Sequence, residues 1–211
     1  MSLYPIFVDA ARCRVLVVGG GAVACRKVRG LLEAGARPEI VSPALSAELA
    51  GLVETHALVH HARVYQAGDA LRRHLVFAAT DSAEVNAAVA AEAEGDRALA
   101  SVADDGEGSA FHVPAVIRRD GVTVALSTGG AAPLLAKRLR ERLEDVVTEG
   151  VGRAARRLVA LRTEVQARWP GDEGRRRAMW TSLVTPAFLD DAVAGRDAEL
   201  ETRIARCLSQ S

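Results

Sequence analysis

At 211 residues, 49% of them apolar, the chain has the length and the material for one large domain or two small ones, each with its own core. Twenty-seven basic residues balance twenty-seven acidic ones, which argues against a nucleic-acid partner, and no run approaches the roughly 20 apolar residues that cross a bilayer. The start, Leu3-Tyr4-Pro5-Ile6-Phe7, lacks the basic and long apolar regions of a signal peptide, and Cys13, Cys25 and Cys207 are too scattered for a disulfide framework or a metal cluster. A cytoplasmic protein without a bound structural metal is expected.

Arg14-Val15-Leu16-Val17-Val18 is a short, β-branched, bounded run and predicts a buried strand. Gly19-Gly20-Gly21 follows, then helical periodicity from Ala22 to Ala34 through Val23, Val28, Leu31 and Leu32, with Gly35 as its stop. Glu39-Ile40-Val41-Ser42 is a second strand, closed by Pro43, so the first 43 residues contain a βαβ unit. The alternation continues with a weak helix over 46–54 and a polar strand over 58–65 near a sheet edge. A central strand over 75–79, an alanine-rich helix over 82–95 and a strand over 99–103 complete it. After Phe111 the pattern changes: strands over 111–118 and 122–127 form a hairpin around Arg119-Asp120-Gly121, and Ser127-Thr128-Gly129-Gly130 leads to a helix opening at Pro133 with Leu134, Leu135, Leu139 and Leu143 on one face. From Gly150 onward the chain reads helical. The expected fold class is α/β: a Rossmann-type parallel sheet domain over 1–113, a hairpin-helix segment over 114–148, and a small all-helical C-terminal domain over 149–211.

Strand, Gly-x-Gly-x-x-Ala, helix has a mechanical reason. Gly19 permits the tight turn, Gly21 lets the backbone approach a pyrophosphate, and Ala24 allows close packing of helix on strand. The N–H groups at the helix start, around Ala22 and Val23, then face the phosphates. Small residues also serve ordinary turns, but the flanking strand and amphipathic helix favour a dinucleotide. The acid that usually ends the second strand and holds the ribose is missing: Ser42 stands there, able to bond a ribose hydroxyl but not to exclude a 2′-phosphate by charge. Arg37 is either a surface arginine or a contact for such a phosphate.

Taken together, Tyr4-Pro5-Ile6-Phe7, Val17 to Ala24 with Arg26-Lys27, Leu32 to Ala36, Ala78-Ala79-Thr80-Asp81 with Val85-Asn86, Asp104, Phe111, Pro114 and Ser127 to Ala136 resemble the precorrin-2 dehydrogenase/sirohydrochlorin ferrochelatase family, the N-terminal module of siroheme synthases. The resemblance covers residues 3 to about 145 in order and spacing; the second glycine loop after a hairpin sets this family apart from other Rossmann dehydrogenases. It implies NAD⁺-dependent oxidation of the tetrapyrrole precorrin-2 to sirohydrochlorin. In several members Fe²⁺ is then inserted as a second substrate to give siroheme. It also implies a homodimer built through the segment around 114–145.

The resemblance makes Asp104, just past the strand over 99–103, the carboxylate base that takes a proton as hydride leaves for the nicotinamide. The other reading is a turn residue, and Asp105 is a lesser contender for the base. Thr80 is placed beside the cofactor by the resemblance; equally, Thr80 or Asp81 reads as the N-cap of the following helix. Ser127, Thr128, Gly129 and Gly130 precede a helix N-terminus and suit a substrate carboxylate, or simply make the turn. His112, in the predicted hairpin strand, either assists at the substrate or is structural. His60 and His61 point to opposite faces of a strand and cannot easily share one ion. Arg153, Arg156 and Arg157 share a helix face and act together on a polyanion or are solvated, while Trp169 and Trp180 read as core of the helical domain. Two further readings stay open: a non-catalytic Rossmann module that senses NAD(H), and a relative acting on another modified tetrapyrrole or metal.

Overall fold

The computed structural model describes residues 3–103, 105, 106 and 108–210. The chain divides into two compact units at Val113/Pro114. In the first, β1 (Val15–Val18), β2 (Glu39–Val41), β3 (His60–His61), β4 (Leu75–Ala78) and β5 (Leu99–Val102) form one sheet in the order β3-β2-β1-β4-β5, with every pairing parallel. Helices α1 (Ala22–Glu33), α2 (Ala47–His56) and α3 (Ala83–Gly95) supply the crossovers. The two-residue period of β1 divides its side chains between two cores. Val15 and Val17 pack with Val28 and Leu31 of α1 and Leu49 of α2; Leu16 and Val18 pack with Val89 and Ala93 of α3. Strands buried on both faces explain the unbroken apolar runs in β1 and β4.

Because the order reverses direction between β1 and β4, the carboxyl ends of these two strands form the switch point where such sheets take their ligands. Helix ends are set locally. Gly35 (φ +79°) stops α1 by donating to Leu32 O while Ala36 donates to Leu31 O, a Schellman closure. Ser46 caps α2 and Ser82 caps α3.

The predicted strand over 58–65 shrinks to His60–His61. Arg63 N–H turns back to His61 O at 2.8 Å, and its guanidinium grips Asp69 through two 2.7 Å bonds. The expectation of a strand over 111–118 is likewise corrected. Phe111 sets its ring edge-on to Phe77 at 5.3 Å, and Pro114, which has no N–H to offer a ladder, precedes the true strand β6 (Ala115–Arg119). His112 therefore lies in a loop of the first unit, not in the hairpin.

In the second unit β6 pairs with β7 (Val122–Leu126) as an antiparallel hairpin, turned at Asp120 with φ +48°. Helices α4 (Pro133–Glu144), α5 (Glu149–Arg168), α6 (Glu173–Leu183), α7 (Pro186–Val193) and α8 (Asp197–Gln210) follow. Trp169, Met179, Leu183, Phe188, Leu200 and Ile204 make its core, with Trp180 packed against it. No described helix is long and apolar enough to cross a membrane.

Candidate nucleotide site

The glycine turn is shaped by three different constraints. Gly19 (φ +125°) donates to Val41 O at 2.9 Å, and a Cβ there would stand 2.1 Å from Ala79 O, so no other residue fits. A Cβ on Gly20 would come within 1.9 Å of Ala44 O and 2.6 Å of Ser42 Oγ, while Gly20 O accepts from Ser46 N–H at 2.8 Å. At Gly21 the same added atom meets nothing within 4 Å. Gly21 is the N-cap of α1 and has no side chain to cap it, so the open space lies at the N-terminus of a twelve-residue helix whose dipole favours an anion. Ala22 is exposed, Val23 is half-buried, and Ala24 is fully buried against the sheet. Gly20 is the residue that the Gly-x-Gly-x-x-Ala pattern misses. Its constraint comes from the chain after β2, and the sole sequence signal is a third glycine at a position the motif leaves free.

Across the switch point, Thr80 is clasped by Asn86 of α3. Asn86 Oδ1 accepts from Thr80 N–H at 3.1 Å and from Thr80 Oγ1 at 2.8 Å, and Asn86 Nδ2 donates to Thr80 O at 3.0 Å. With its side chain inside the fold (7% exposed), Asn86 fixes the backbone that presses on Gly19. Neither Thr80 nor Asp81 is the helix cap; Ser82 Oγ takes that place, accepting from Val85 N–H. This leaves Thr80 at the turn and assigns the positioning of its backbone to Asn86, a role the sequence did not single out.

Ser42 is buried (6% exposed) and donates its hydroxyl hydrogen to Ala44 O at 2.7 Å, fixing the loop that backs Gly20. His60 bonds Ser42 O through Nε2 at 2.9 Å and His61 lies 3.4 Å from Glu39, so the two histidines do separate work. Arg37 is removed from the nucleotide reading: it precedes β2, at the amino-terminal end of the parallel strands and so at the end opposite the glycine turn, and its guanidinium bonds His56 O at 2.6 Å.

The other charges of this unit brace the segment after β3. The Arg73 guanidinium, bonded to Glu39 at 2.6 and 2.9 Å, holds that carboxyl below its usual range, and Arg63 does the same for Asp69. Burial would raise the Glu92 carboxyl, but the Tyr65 hydroxyl at 2.6 Å and the Gly68 and Ala70 N–H groups outweigh it and hold it low.

Asp104 lies outside the described residues. Asp105 accepts from Gly108 N–H through Oδ1 at 2.9 Å, as a turn-forming aspartate does. A Cβ added at Gly106 would stand 3.6 Å from His112 Cε1, and His112 Nε2 is buried with no hydrogen-bond partner among the described residues.

Ser127, Thr128, Gly129 and Gly130 belong to the second unit. Gly129 (φ +65°) donates to Ser127 Oγ at 3.1 Å, Ala132 N–H to Thr128 Oγ1 at 3.3 Å, and Gly130 has φ +82°. The α4 that follows exposes Leu134, Leu135 and Leu139 at 66, 53 and 40%. The arginines of α5 do not act as one face. Arg153 and Arg157 pair with Asp197 and Glu201 of α8 at 2.9 and 2.7 Å, whereas Arg156 bonds Asp120 of the hairpin turn. Among the described residues no cluster of His, Cys, Asp or Glu is arranged to hold a metal ion.

A family model described as NAD(P)-binding matches residues 6–115, the stretch that contains the glycine turn, Ser42, Thr80 and His112. The chain belongs to this NAD(P)-binding family. A second model, the central part of sirohaem biosynthesis proteins, matches residues 119–145, which hold the Ser127–Gly130 turn and α4. The chain is 45% identical over 210 residues to a siroheme synthase of Chromobacterium violaceum, covering 97% of this chain and 44% of that protein. It is 40% identical over 208 residues to siroheme synthase 1 of Aeromonas salmonicida, covering 99% of this chain and again 44% of that protein. It thus spans less than half the length of these curated relatives. A solved structure titled SirC, precorrin-2 dehydrogenase, superposes with a TM-score of 0.78 at 27% identity, covering 97% of this chain and all of that one. The resemblance drawn from the sequence motifs therefore holds over nearly the whole chain.

Proposed function

We propose that this chain is an NAD⁺-dependent precorrin-2 dehydrogenase that forms sirohydrochlorin, acting as a cytoplasmic homodimer. The observation that carries the reading is the open space at Gly21. The two neighbouring glycines are pressed against backbone, but a Cβ at Gly21 would stand free at an uncapped helix N-terminus, which is the shape and polarity a pyrophosphate requires. The similarity to siroheme synthases and to SirC supports the tetrapyrrole substrate.

NAD⁺, when bound, supplies the hydride acceptor. Gly21, Ala22 and Val23 would hold its pyrophosphate by backbone N–H groups while Gly19, whose own N–H is given to Val41 O, shapes the tight turn against it, with Thr80, fixed by Asn86, beside them at the switch point and Ser42 at the ribose end. NAD rather than NADP is inferred from the resemblance to the precorrin-2 dehydrogenase family, Ser42 offering no charge against a 2′-phosphate. Asp104 removes the proton that the macrocycle loses as its hydride departs, so two electrons and both hydrogens are accounted for. Ser127 to Gly130 and His112 are assigned to the substrate, the former leading into the N-terminus of α4, whose dipole suits its carboxylates. Leu134, Leu135 and Leu139, exposed along one side of α4, support pairing of two copies through 114–148. Fe²⁺ enters this reading as a second substrate, for insertion into the product.

The test separates binding from chemistry. Asp104→Ala is expected to retain NAD⁺ affinity within about twofold and to lose turnover of precorrin-2 by roughly 100-fold or more. Unchanged turnover would exonerate Asp104. Fe²⁺ and Co²⁺ insertion, followed separately from NADH under anaerobic conditions, decides the chelatase step.

A further inference from the structure

The residues on either side of Asp104 are tied together by one hydroxyl. Ala103 N–H donates to Ala78 O at 2.8 Å, carrying the β4–β5 ladder one residue past the end of β5. Asp105 pairs with Val102 in an isolated antiparallel bridge. Ser109 Oγ joins the same two residues: it accepts from Val102 N–H at 2.9 Å and donates to Asp105 O at 2.6 Å, with Val102 O at 3.3 Å. Ala110 N–H donates to Ala100 O at 2.8 Å, returning the chain alongside β5.

A serine suits this place because one atom must both accept and donate. Alanine would leave the Val102 N–H and the Asp105 carbonyl without that partner and free the loop between two strand-anchored ends. Threonine keeps the hydroxyl.

We propose that Ser109 is a positioning residue for proton removal: it ties Val102 to Asp105, described residues on either side of Asp104 in the sequence. This rests on the assignment of Asp104 as the base. A displacement of about 1 Å in a reacting group costs on the order of 100-fold in rate, so a single loop tie has ample leverage.

The experiment compares Ser109→Ala, Ser109→Thr, Asp104→Asn and the double variant Asp104→Asn/Ser109→Ala in the full chain. NADH formation from precorrin-2 is read alongside NAD⁺ affinity and amide hydrogen exchange. Ser109→Ala is expected to lower kcat roughly 10- to 100-fold, with KM and NAD⁺ affinity unchanged and faster exchange at Val102. Ser109→Thr should recover most of the rate. The double variant should be no slower than Asp104→Asn, because Ser109 acts through Asp104. Wild-type kcat in Ser109→Ala, no recovery in Ser109→Thr, or multiplicative losses in the double variant would each overturn the proposal. A dead Asp104→Asn beside an unimpaired Ser109→Ala removes only the role of Ser109; a fully active Asp104→Asn removes the base assignment and Ser109 with it.

Discussion

The molecule has two glycine turns, each leading into a helix, and they are built in opposite ways. At Gly19–Gly21 the surroundings decide beside the one positive torsion at Gly19: two of the three glycines press on backbone, α1 buries one face in a core, and the open position is the N-cap of that helix. At Gly129–Gly130 the torsions decide. Both glycines sit at positive φ, an added Cβ at Gly130 meets nothing, and α4 leaves three leucines exposed. The first turn is held by its surroundings within the first unit, whereas the second is set by its own torsions within the second.

The sharpest break of that contrast is at the first turn. Gly20→Ala drives a Cβ to within 1.9 Å of Ala44 O, and is expected to cost several kcal/mol and to abolish NAD⁺ binding. Gly21→Ala should do the reverse, changing stability by less than about 1 kcal/mol while weakening NAD⁺ at least roughly tenfold, because its Cβ occupies phosphate space. Thermal unfolding and titration calorimetry on the same samples separate the two effects. Equal losses of stability at both positions would deny that the open space at Gly21 is a binding feature.

Asn86→Ala ranks next. Removing a buried amide that serves three polar groups of Thr80 is expected to cost about 2–3 kcal/mol in denaturant unfolding and to weaken NAD⁺ as the Thr80 backbone relaxes. At the second turn, Leu135→Glu should convert the proposed dimer to monomers in sedimentation velocity and leave NAD⁺ affinity unchanged. A variant that remains dimeric would remove α4 from the interface. Gly130→Ala, strained at φ +82°, should lower stability by about 1 kcal/mol without touching NAD⁺ affinity.

The smallest effect is in pH. Glu39 and Asp69 are held below the ordinary carboxylate range by Arg73 and Arg63. Their contribution is therefore fully present above the unfolded-state values near pH 4 and is lost as pH falls through the lower folded-state values. Thermal stability should be level from neutrality to about pH 5 and fall below it. Glu39→Gln should flatten part of that fall by no more than about 1 kcal/mol, since the pair is partly exposed.

What was legible in the sequence was what is local. The β-branched run of β1, the glycines and the apolar period of α1 state their fold within 20 residues, and the Asp120-Gly121 turn states the hairpin. What was not legible depends on partners far along the chain. Gly20 is constrained from Ser42 and Ala44, and Arg153 and Arg157 find their acids 44 residues away, which splits a face that looked uniform. Asn86 belongs to the motif set, but its role shows only when its amide is seen to point back at Thr80. Phe111 to Val113 carried a strand-like run, but the aromatic contact with Phe77 and the missing N–H of Pro114 took it out of the hairpin. Ser109 gave no signal, since a serine among glycines and aspartates suggests only a turn.

Anaerobic mixing of the purified chain with precorrin-2 and NAD⁺ decides whether the turn at Gly19–Gly21 serves the oxidation of a tetrapyrrole. One NADH is expected for each sirohydrochlorin formed. Tight NAD⁺ binding with no NADH above a control lacking the protein would leave the chain a nucleotide-binding module without this chemistry.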